Sequence, residues 1–238
     1  MQENNPTLAI IMPVYNEEAI VETVIKRWAS VLEGLRINYA MHIYNDGSRD
    51  RTGEILSRLA AANSRIIVHD QENRGHGPTI LSGYKNNSAA EWIFQSDSDN
   101  ETDPADFIKL WEKRNEYDFL IGRRVSYPSS LIRRMISAVA RAIIGLLYGR
   151  GIHDVNSPFR LIRNSSFKSI FESIPSNTAS PNLIISGMAI RKKMRIFEAE
   201  IAYHFRTTGE VSIRRAKLCR VALSSFFQTI AFAFQRKK

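Results

Sequence analysis

The chain has a single cysteine, Cys219, so it cannot form an internal disulfide. No CxxC pair or partnering histidine stands near it to make a zinc site, and a reducing, cytoplasmic setting is expected. The opening residues MQENNPTLAIIMP have no basic start and no long apolar segment, so they do not read as a secretory signal. Low-complexity linkers and internal repeats are missing, which leaves one substantial folded domain rather than an array or a disordered chain. There is no GxxxxGK[ST] loop and no GxGxxG after the first apolar run, which argues against P-loop kinases, ATPases and dinucleotide enzymes. A G-x-S-x-G elbow is also missing, which argues against a serine hydrolase.

Acidic residues are scarce at the C-terminal end. Between Arg191 and Lys238 twelve Lys and Arg face three Asp and Glu, an excess that equals the whole formal net charge of +9. Residues 1–190 are therefore neutral in sum. Such an excess suits nucleic acid, an anionic membrane surface or a phosphorylated substrate, and charge alone does not choose among them.

What the chain does have is a rhythm. The runs LAIIMP, YAMHIYND, RIIVHD and EWIFQSD alternate with helical stretches at 17–32, at 51–62 and beyond 71. Strands that alternate with helices predict βαβ units, an α/β class and a mostly parallel central sheet flanked by helices. In such sheets chemistry gathers at the carboxyl ends of strands, and PVYNEE, NDGS and DSDN all fall there. Three polar motifs at equivalent strand ends should converge on one crevice.

The second half differs. Leu131, Met135, Val139, Ile143 and Leu147 recur every four residues, with Ile132, Ile136, Ala140 and Ile144 widening the apolar face and Arg133, Arg134 and Arg141 interrupting it. This predicts an amphipathic helix over 131–148, packed on the core or lying in a membrane interface. A second apolar run, Val221 to Phe234, is flanked by basic residues and is shorter than the ~20 residues a bilayer span needs. It fits interfacial binding, the stump of a longer anchor, or a contact within a homo-oligomer.

The stretch WIFQSDSDNETD sets acids at alternate positions, Asp97, Asp99, Glu101 and Asp103, where they repel one another. Asp103 followed by Pro104 reads as a helix N-cap with proline at the first helical position, and Asp106 suits the first turn. Asp97 and Asp99, with Glu101 beyond, are hard oxygen ligands at a spacing that suits Mg²⁺ or Mn²⁺ with substrate phosphates completing the shell. The plain alternative is a solvated acidic loop. In IYNDGSRD, Asp46-Gly47 is a hairpin signal taken alone. Before a helix it is a βα loop, with Asp46 placed to accept hydrogen bonds from a base or ribose and Gly47 allowing close backbone approach.

Taken together, PVYNEE, NDGSRDRT, NRGHG, the DSD motif and HFRTTGEVS resemble the family 2 glycosyltransferases, over about Leu8 to Arg215. The resemblance implies the nucleotide-sugar-binding α/β fold called GT-A. IGRRV, HDVNSPFRLIRNSSF and FRTTGEVS are similar to segments of the dolichyl-phosphate mannosyltransferase and bacterial polyprenyl-phosphate glycosyltransferase branch. The resemblance implies that Pro13, Tyr15, Glu17 and Asp46, with Gly47 and Arg74, hold the nucleoside side of the donor. It further implies that Asp97 and Asp99 face the metal and diphosphate, and that Arg124, Arg160 and Arg206 bind phosphates. Two positions depart from the branch: Glu101 stands where Gln is common and adds a candidate metal ligand, and Pro158 stands where Gly precedes Phe-Arg.

The implied reaction is transfer of a sugar, with inversion, from a nucleoside diphosphate sugar carrying uracil or guanine to a polyprenyl phosphate, at the cytoplasmic face of a membrane. A phosphate monoester is already mostly ionised near neutral pH, its second pKa being about 6, and needs no strong base. A saccharide hydroxyl as acceptor would need one, and Asp154 or His153 in GIHDVN are the candidates; the other reading of Asp154 is that it orients Arg160. A noncatalytic nucleotide-sugar-binding protein at a membrane is a third reading. Nucleic acid would account for the tail charge but not for the acidic motif. The expected layout is a catalytic domain over 1–212, which includes the helix at 131–148, and a basic amphipathic helix over 213–238.

Overall fold

The computed structural model describes residues 6–87, 89–125, 131–204 and 215–235. The first strand, β1 (Leu8–Val14), is buried along its whole length. A continuous apolar run of this kind is what a central parallel strand needs when both faces are covered. It is followed by α1 (Val21–Gly34), β2 (Tyr39–Asp46), α2 (Thr52–Ala62), β3 (Ile66–Gln71), α3 (His76–Asn86) and β4 (Trp92–Gln95). A 3₁₀ turn at Pro104–Asp106 leads into α4 (Phe107–Trp111). The chain continues through β5 (Phe119–Val125), α5 (Leu131–Leu147), β6 (Arg160–Arg163), α6 (Asn164–Ser173), α7 (Pro181–Arg191), β7 (Ile196–Ala202) and α8 (Arg215–Phe234).

The seven strands form one sheet in the order β3-β2-β1-β4-β6-β5-β7. Strand β1 pairs in parallel with β2 and β4, β2 with β3, and β5 with β7. β6 runs antiparallel to both its neighbours, so the sheet is mostly parallel with one reversed strand. From β1 the chain steps outward to β2 and β3, then returns across β1 to build β4. The carboxyl ends of β1 and β4 thus flank a topological switch point, where open α/β sheets form a ligand crevice.

The two faces of the sheet carry separate cores. Alternate β1 side chains Leu8, Ile10, Met12 and Val14 meet α1, whose buried Val21, Val24, Ile25, Trp28 and Leu32 follow the helical period. Trp28, Phe107 and Phe159 surround Phe94 with centroid separations of 5.1, 4.9 and 4.8 Å. Ile11 faces the other way, into a cluster with Tyr84, Phe167 and Ile185. Each such side chain contributes roughly 1.5–3 kcal/mol on full burial.

α5 realises the amphipathic helix expected near 131–148. It buries Ala140 and Ile144, with Tyr148 just beyond its end, and turns Met135, Val139 and Leu146 outward, Leu146 being 85% exposed. α8 docks beside it: the Tyr148 hydroxyl donates to the Thr229 carbonyl at 2.8 Å, and Arg191 donates to the carbonyls of Ala233 and Leu147 at 2.9 and 2.7 Å. Phe232 is buried there, while Leu223, Phe227 and Phe234 face out. Among the described residues no helix is long and apolar enough to cross a membrane.

Candidate functional site

The loops after β1 and β2 are laced together at the switch point. The Asn16 amide donates to Ser48 Oγ at 3.0 Å, and the Arg49 amide donates back to Asn16 Oδ1 at 2.8 Å. The Glu17 amide donates to the buried Thr52 hydroxyl at 2.8 Å, and Asn16 sits at φ 53°, in the left-handed region that asparagine tolerates. Pro13, near the end of β1, is buried, as is Glu17 in the laced loop, while Tyr15 between them is half-buried.

Asp46 ends β2 and is buried. Its Oδ1 accepts from the Arg74 amide and from Gln71 Nε2, both at 2.8 Å, and its Oδ2 accepts from the Gly75 amide at 2.9 Å. The carboxylate therefore folds the 71–75 loop back over the strand end, an internal task beside the base or ribose contact expected of it from the sequence. Gly47, at φ 72°, serves the same fold-back, since a Cβ there would lie 2.7 Å from the Asn73 nitrogen. The close approach it permits is that of the chain's own loop. Arg74 is tied to Asp46 through its backbone and its side chain is exposed.

Beyond β4 lie the acids. His76 Nε2 stands 3.0 Å from Asp97 Oδ1. Burial works to raise the Asp97 carboxyl, but His76, Arg124 and Arg160 outweigh it and hold Asp97 below its ordinary range. Asp99 goes the other way: burial, then the charges of Asp97 and Glu101, push it up to about 8. Desolvation would lower the His76 imidazole, yet Asp97, with Asp99 and Asp46 further off, leaves it raised. Glu101 accepts a hydrogen bond from the Tyr203 hydroxyl, and its carbonyl accepts from the His204 amide at 2.8 Å, so the acidic loop is fastened to the end of β7. Asp103 caps the 3₁₀ turn as expected, accepting from the Ala105 amide at 3.1 Å, and also pairs with Arg27. Asp106 lies in the first turn as expected, and it also accepts from the Ala202 amide at 2.8 Å and pairs with Lys109.

Among the described residues no three His, Cys, Asp or Glu side chains form a closed metal cage. What remains is Asp97 and Asp99 with a carboxyl pushed up by its neighbours, a donor set whose repulsion a divalent cation would offset. That fits the pattern in which two carboxylates hold Mg²⁺ or Mn²⁺ and substrate phosphates complete the shell.

The arginines divide. Arg124, on β5, lines a pocket with His76 and Asp97. Its Nε and Nη2 grip Asp154 Oδ2 and Oδ1 at 2.7 and 3.0 Å. Asp154 is thus the partner of Arg124 rather than of Arg160. His153 is paired with Glu198, Nδ1 to Oε2 at 2.6 Å. Arg160, expected from the sequence among the phosphate-binding arginines, is 0% exposed. Its Nε donates to the Ser157 carbonyl at 2.8 Å, Nη1 to the Asn182 carbonyl at 3.2 Å, and Nη2 to Ser157 and Val155. Burial lowers it to about 10, still cationic at neutral pH. It fastens the 155–157 loop to α7 beneath the pocket. Arg206 lies outside the described residues.

Several residues of this site were not singled out from the sequence. His76 sits inside the NRGHG motif, and Ser180-Pro181 is an N-cap signature that marks the start of α7. Asn156, Ser180 and Asn182 line the pocket with Pro158. Tyr203 carried no sequence signal.

Comparison with known proteins agrees with this geometry. A family model described as Glycosyl transferase family 2 matches residues 9–171. An undecaprenyl-phosphate 4-deoxy-4-formamido-L-arabinose transferase of Photorhabdus laumondii is 25% identical over 214 residues, covering 89% of this chain and 64% of that protein. The protein of that name from Pseudomonas aeruginosa PAO1 is 26% identical over 200 residues, covering 82% of this chain and 58% of its own length. The chain therefore spans less than two thirds of these relatives. The crystal structure of Mycobacterium tuberculosis glucosyl-3-phosphoglycerate synthase with Mn²⁺, uridine diphosphate and glucosyl-3-phosphoglycerate superposes with a TM-score of 0.71 at 15% identity, over 98% of this chain and 82% of that one. At that identity the likeness concerns the fold, which is GT-A.

Proposed function

The chain belongs to glycosyl transferase family 2, and on that footing we propose that it moves a sugar from a nucleoside diphosphate sugar to a polyprenyl phosphate, with inversion at the anomeric carbon. The observation that carries this reading is the meeting of Asp97 with Arg124 in one pocket at the carboxyl ends of β4 and β5, with Asp99 near enough to Asp97 for their charges to interact. Acids and a forked cation in one crevice suit a diphosphate leaving group and a phosphate acceptor. The relatives named for undecaprenyl phosphate support the acceptor class. Mn²⁺ and uridine diphosphate in the synthase of like fold support the donor class and a divalent ion.

The donor would lie across the sheet, its nucleoside along the β1 and β2 loops by Pro13, Tyr15 and Glu17, and its diphosphate at Asp97 and Asp99. A divalent ion held by those two carboxylates would supply neutralisation of the departing diphosphate. An acceptor phosphate oxygen attacks the anomeric carbon from the face opposite the diphosphate, whose bond to that carbon breaks as the new one forms. No proton has to leave the acceptor, because its phosphate is already ionised. This matters for Asp154 and His153, the base candidates for a hydroxyl acceptor. Both oxygens of Asp154 are taken up by the Arg124 fork, which disfavours it as the base a saccharide hydroxyl would need. Glu198 engages only Nδ1 of His153, so the preference for a phosphate acceptor rests on that acceptor's own ionisation and on the engagement of Asp154.

The outward apolar residues of α5 and α8 would bring the crevice to the membrane that holds such an acceptor. The test is transfer of radiolabel, with Mn²⁺ or Mg²⁺, from uridine and guanosine diphosphate sugars to a membrane extract containing polyprenyl phosphate. Label in a lipid cleaved by mild acid is the expected result. Label appearing only in acid-stable saccharide would reject the phosphate acceptor.

A further inference from the structure

The acidic loop after β4 takes its shape from a tight turn and a side chain that reaches it from the far side of the sheet. Asn100, between Asp99 and Glu101, sits at φ 59°, in the left-handed region. That turn carries the Glu101 amide back over Asp99, whose Oδ1 accepts from it at 3.1 Å. The direction of the Asp99 carboxylate is therefore set by the turn. Arg27 grips the same turn from α1, which packs on the opposite face of the sheet from α3 and α7. Its Nη1 donates to Asn100 Oδ1 and its Nη2 to Asp103 Oδ1, the latter at 3.1 Å. One guanidinium thus staples both ends of the 100–103 segment. The middle of the segment is fastened to the end of β7, where the His204 amide donates to the Glu101 carbonyl at 2.8 Å and Thr102 bridges to Tyr203.

We propose that Arg27 is a positioning residue for the divalent-cation site: by gripping Asn100 it holds the turn that aims Asp99, and so raises the affinity of the crevice for Mn²⁺ or Mg²⁺. This rests on the reading of Asp97 and Asp99 as the carboxylates that hold the ion. Charge alone would act in the opposite sense. A guanidinium near the site repels a cation, so its removal would tighten binding if charge were its contribution. Loss of a partner that orients a metal ligand instead weakens binding, by about 10- to 100-fold. The sign of the change separates the two.

The experiment measures Mn²⁺ affinity from the paramagnetic resonance signal of the free ion, with uridine or guanosine diphosphate present, for the wild type, Arg27→Met, Asn100→Gly and Asp99→Asn, with thermal melting alongside. Arg27→Met keeps the aliphatic stem and removes the fork, and should weaken Mn²⁺ binding about tenfold or more. Asn100→Gly adopts φ 59° without strain and leaves Arg27 in place, so it cuts the grip while preserving the fold, and it should weaken Mn²⁺ binding in the same direction. Combined with Asp99→Asn, neither substitution should weaken binding further, because both act through that carboxylate. Unchanged or tighter binding in either single variant overturns the proposal, and so does a further loss in the Asp99→Asn background. If Arg27→Met does not fold, Asn100→Gly decides alone. A wild type that binds Mn²⁺ no better than Asp99→Asn refutes the cation site itself, and the positioning role falls with it.

Discussion

Arg124 and Asp154 meet in a two-point salt bridge, with Nε to Oδ2 at 2.7 Å and Nη2 to Oδ1 at 3.0 Å, across 30 residues of chain. The fork fixes the guanidinium plane beside Asp97 and commits both carboxylate oxygens. On the proposed reading of the site, Asp154 acts through Arg124, as a positioning residue.

The first prediction separates positioning from proton transfer. Asp154→Asn keeps one acceptor and loses the charge, and should lower kcat by about 10- to 100-fold, as loss of an orienting partner does. The shape of the pH–rate profile should be unchanged. A general base would instead lose its acidic limb on substitution, so the profile measured from pH 5 to 9 decides the matter.

Asp99 supplies the second. Its carboxyl is crowded by Asp97 and Glu101, so Asp99→Asn relieves repulsion in the free protein while removing a charge that a bound cation needs. Metal-dependent turnover should fall by about 100-fold or more, with the melting temperature of the metal-free protein unchanged or higher. Full activity in the variant would place the ion elsewhere.

Arg160 gives a prediction of the opposite kind. Removing its side chain leaves the carbonyls of Ser157, Val155 and Asn182 without their donors in a site closed to solvent. Arg160→Ala should cost about 2–4 kcal/mol of folding stability, seen as a lower urea midpoint, before any effect on catalysis is considered. A variant that is fully stable but inactive would restore Arg160 to direct phosphate binding.

These three residues show what was legible in the sequence and what was not. β1, β2 and β4 were readable because central parallel strands are uninterrupted apolar runs, and their polar ends stand out against them. β6 is RLIR, four residues bounded by arginines, with no run and no alternation long enough to register. α7 is buried on nearly every side, so PNLIISGMAI carries no helical period. That Asp154 pairs with Arg124, that Arg160 faces inward and that the Asn182 side-chain oxygen is buried with no hydrogen-bond partner among the described residues are decisions of tertiary packing. Spacing along the chain does not encode them.

The stacked pair His42 and His69 makes stability depend on pH. Burial, and then the neighbouring His69, lower His42 to about 4 from an ordinary 6.5. Between those values the unfolded chain takes up a proton that the folded chain does not, so stability falls as the pH drops from 6.5 toward 4. For this half-buried ring the loss from pH 7 to pH 5 should be about 1–2 kcal/mol. Urea denaturation at both pH values should show His42→Gln losing less stability than the wild type over that interval. Equal losses would mean the ring titrates normally in the fold.

The last prediction concerns the outer faces of α5 and α8. Leu146 and Phe227 are 85% and 70% exposed, on two helices whose other sides are anchored to the body of the protein. Deleting α8 would strip the cover from Tyr148 and confound binding with unfolding, so surface substitutions are the cleaner probe. Leu146→Ser with Phe227→Ser removes apolar contact and leaves every charge in place. Apolar insertion predicts that the double variant sediments with anionic phospholipid vesicles about tenfold or more less than the wild type, at low and high salt alike. Attraction through the basic C-terminal residues predicts the reverse: little effect of the double variant, and release of both proteins by salt. Sedimentation at two ionic strengths thus separates insertion of the helices from electrostatic attraction by the tail.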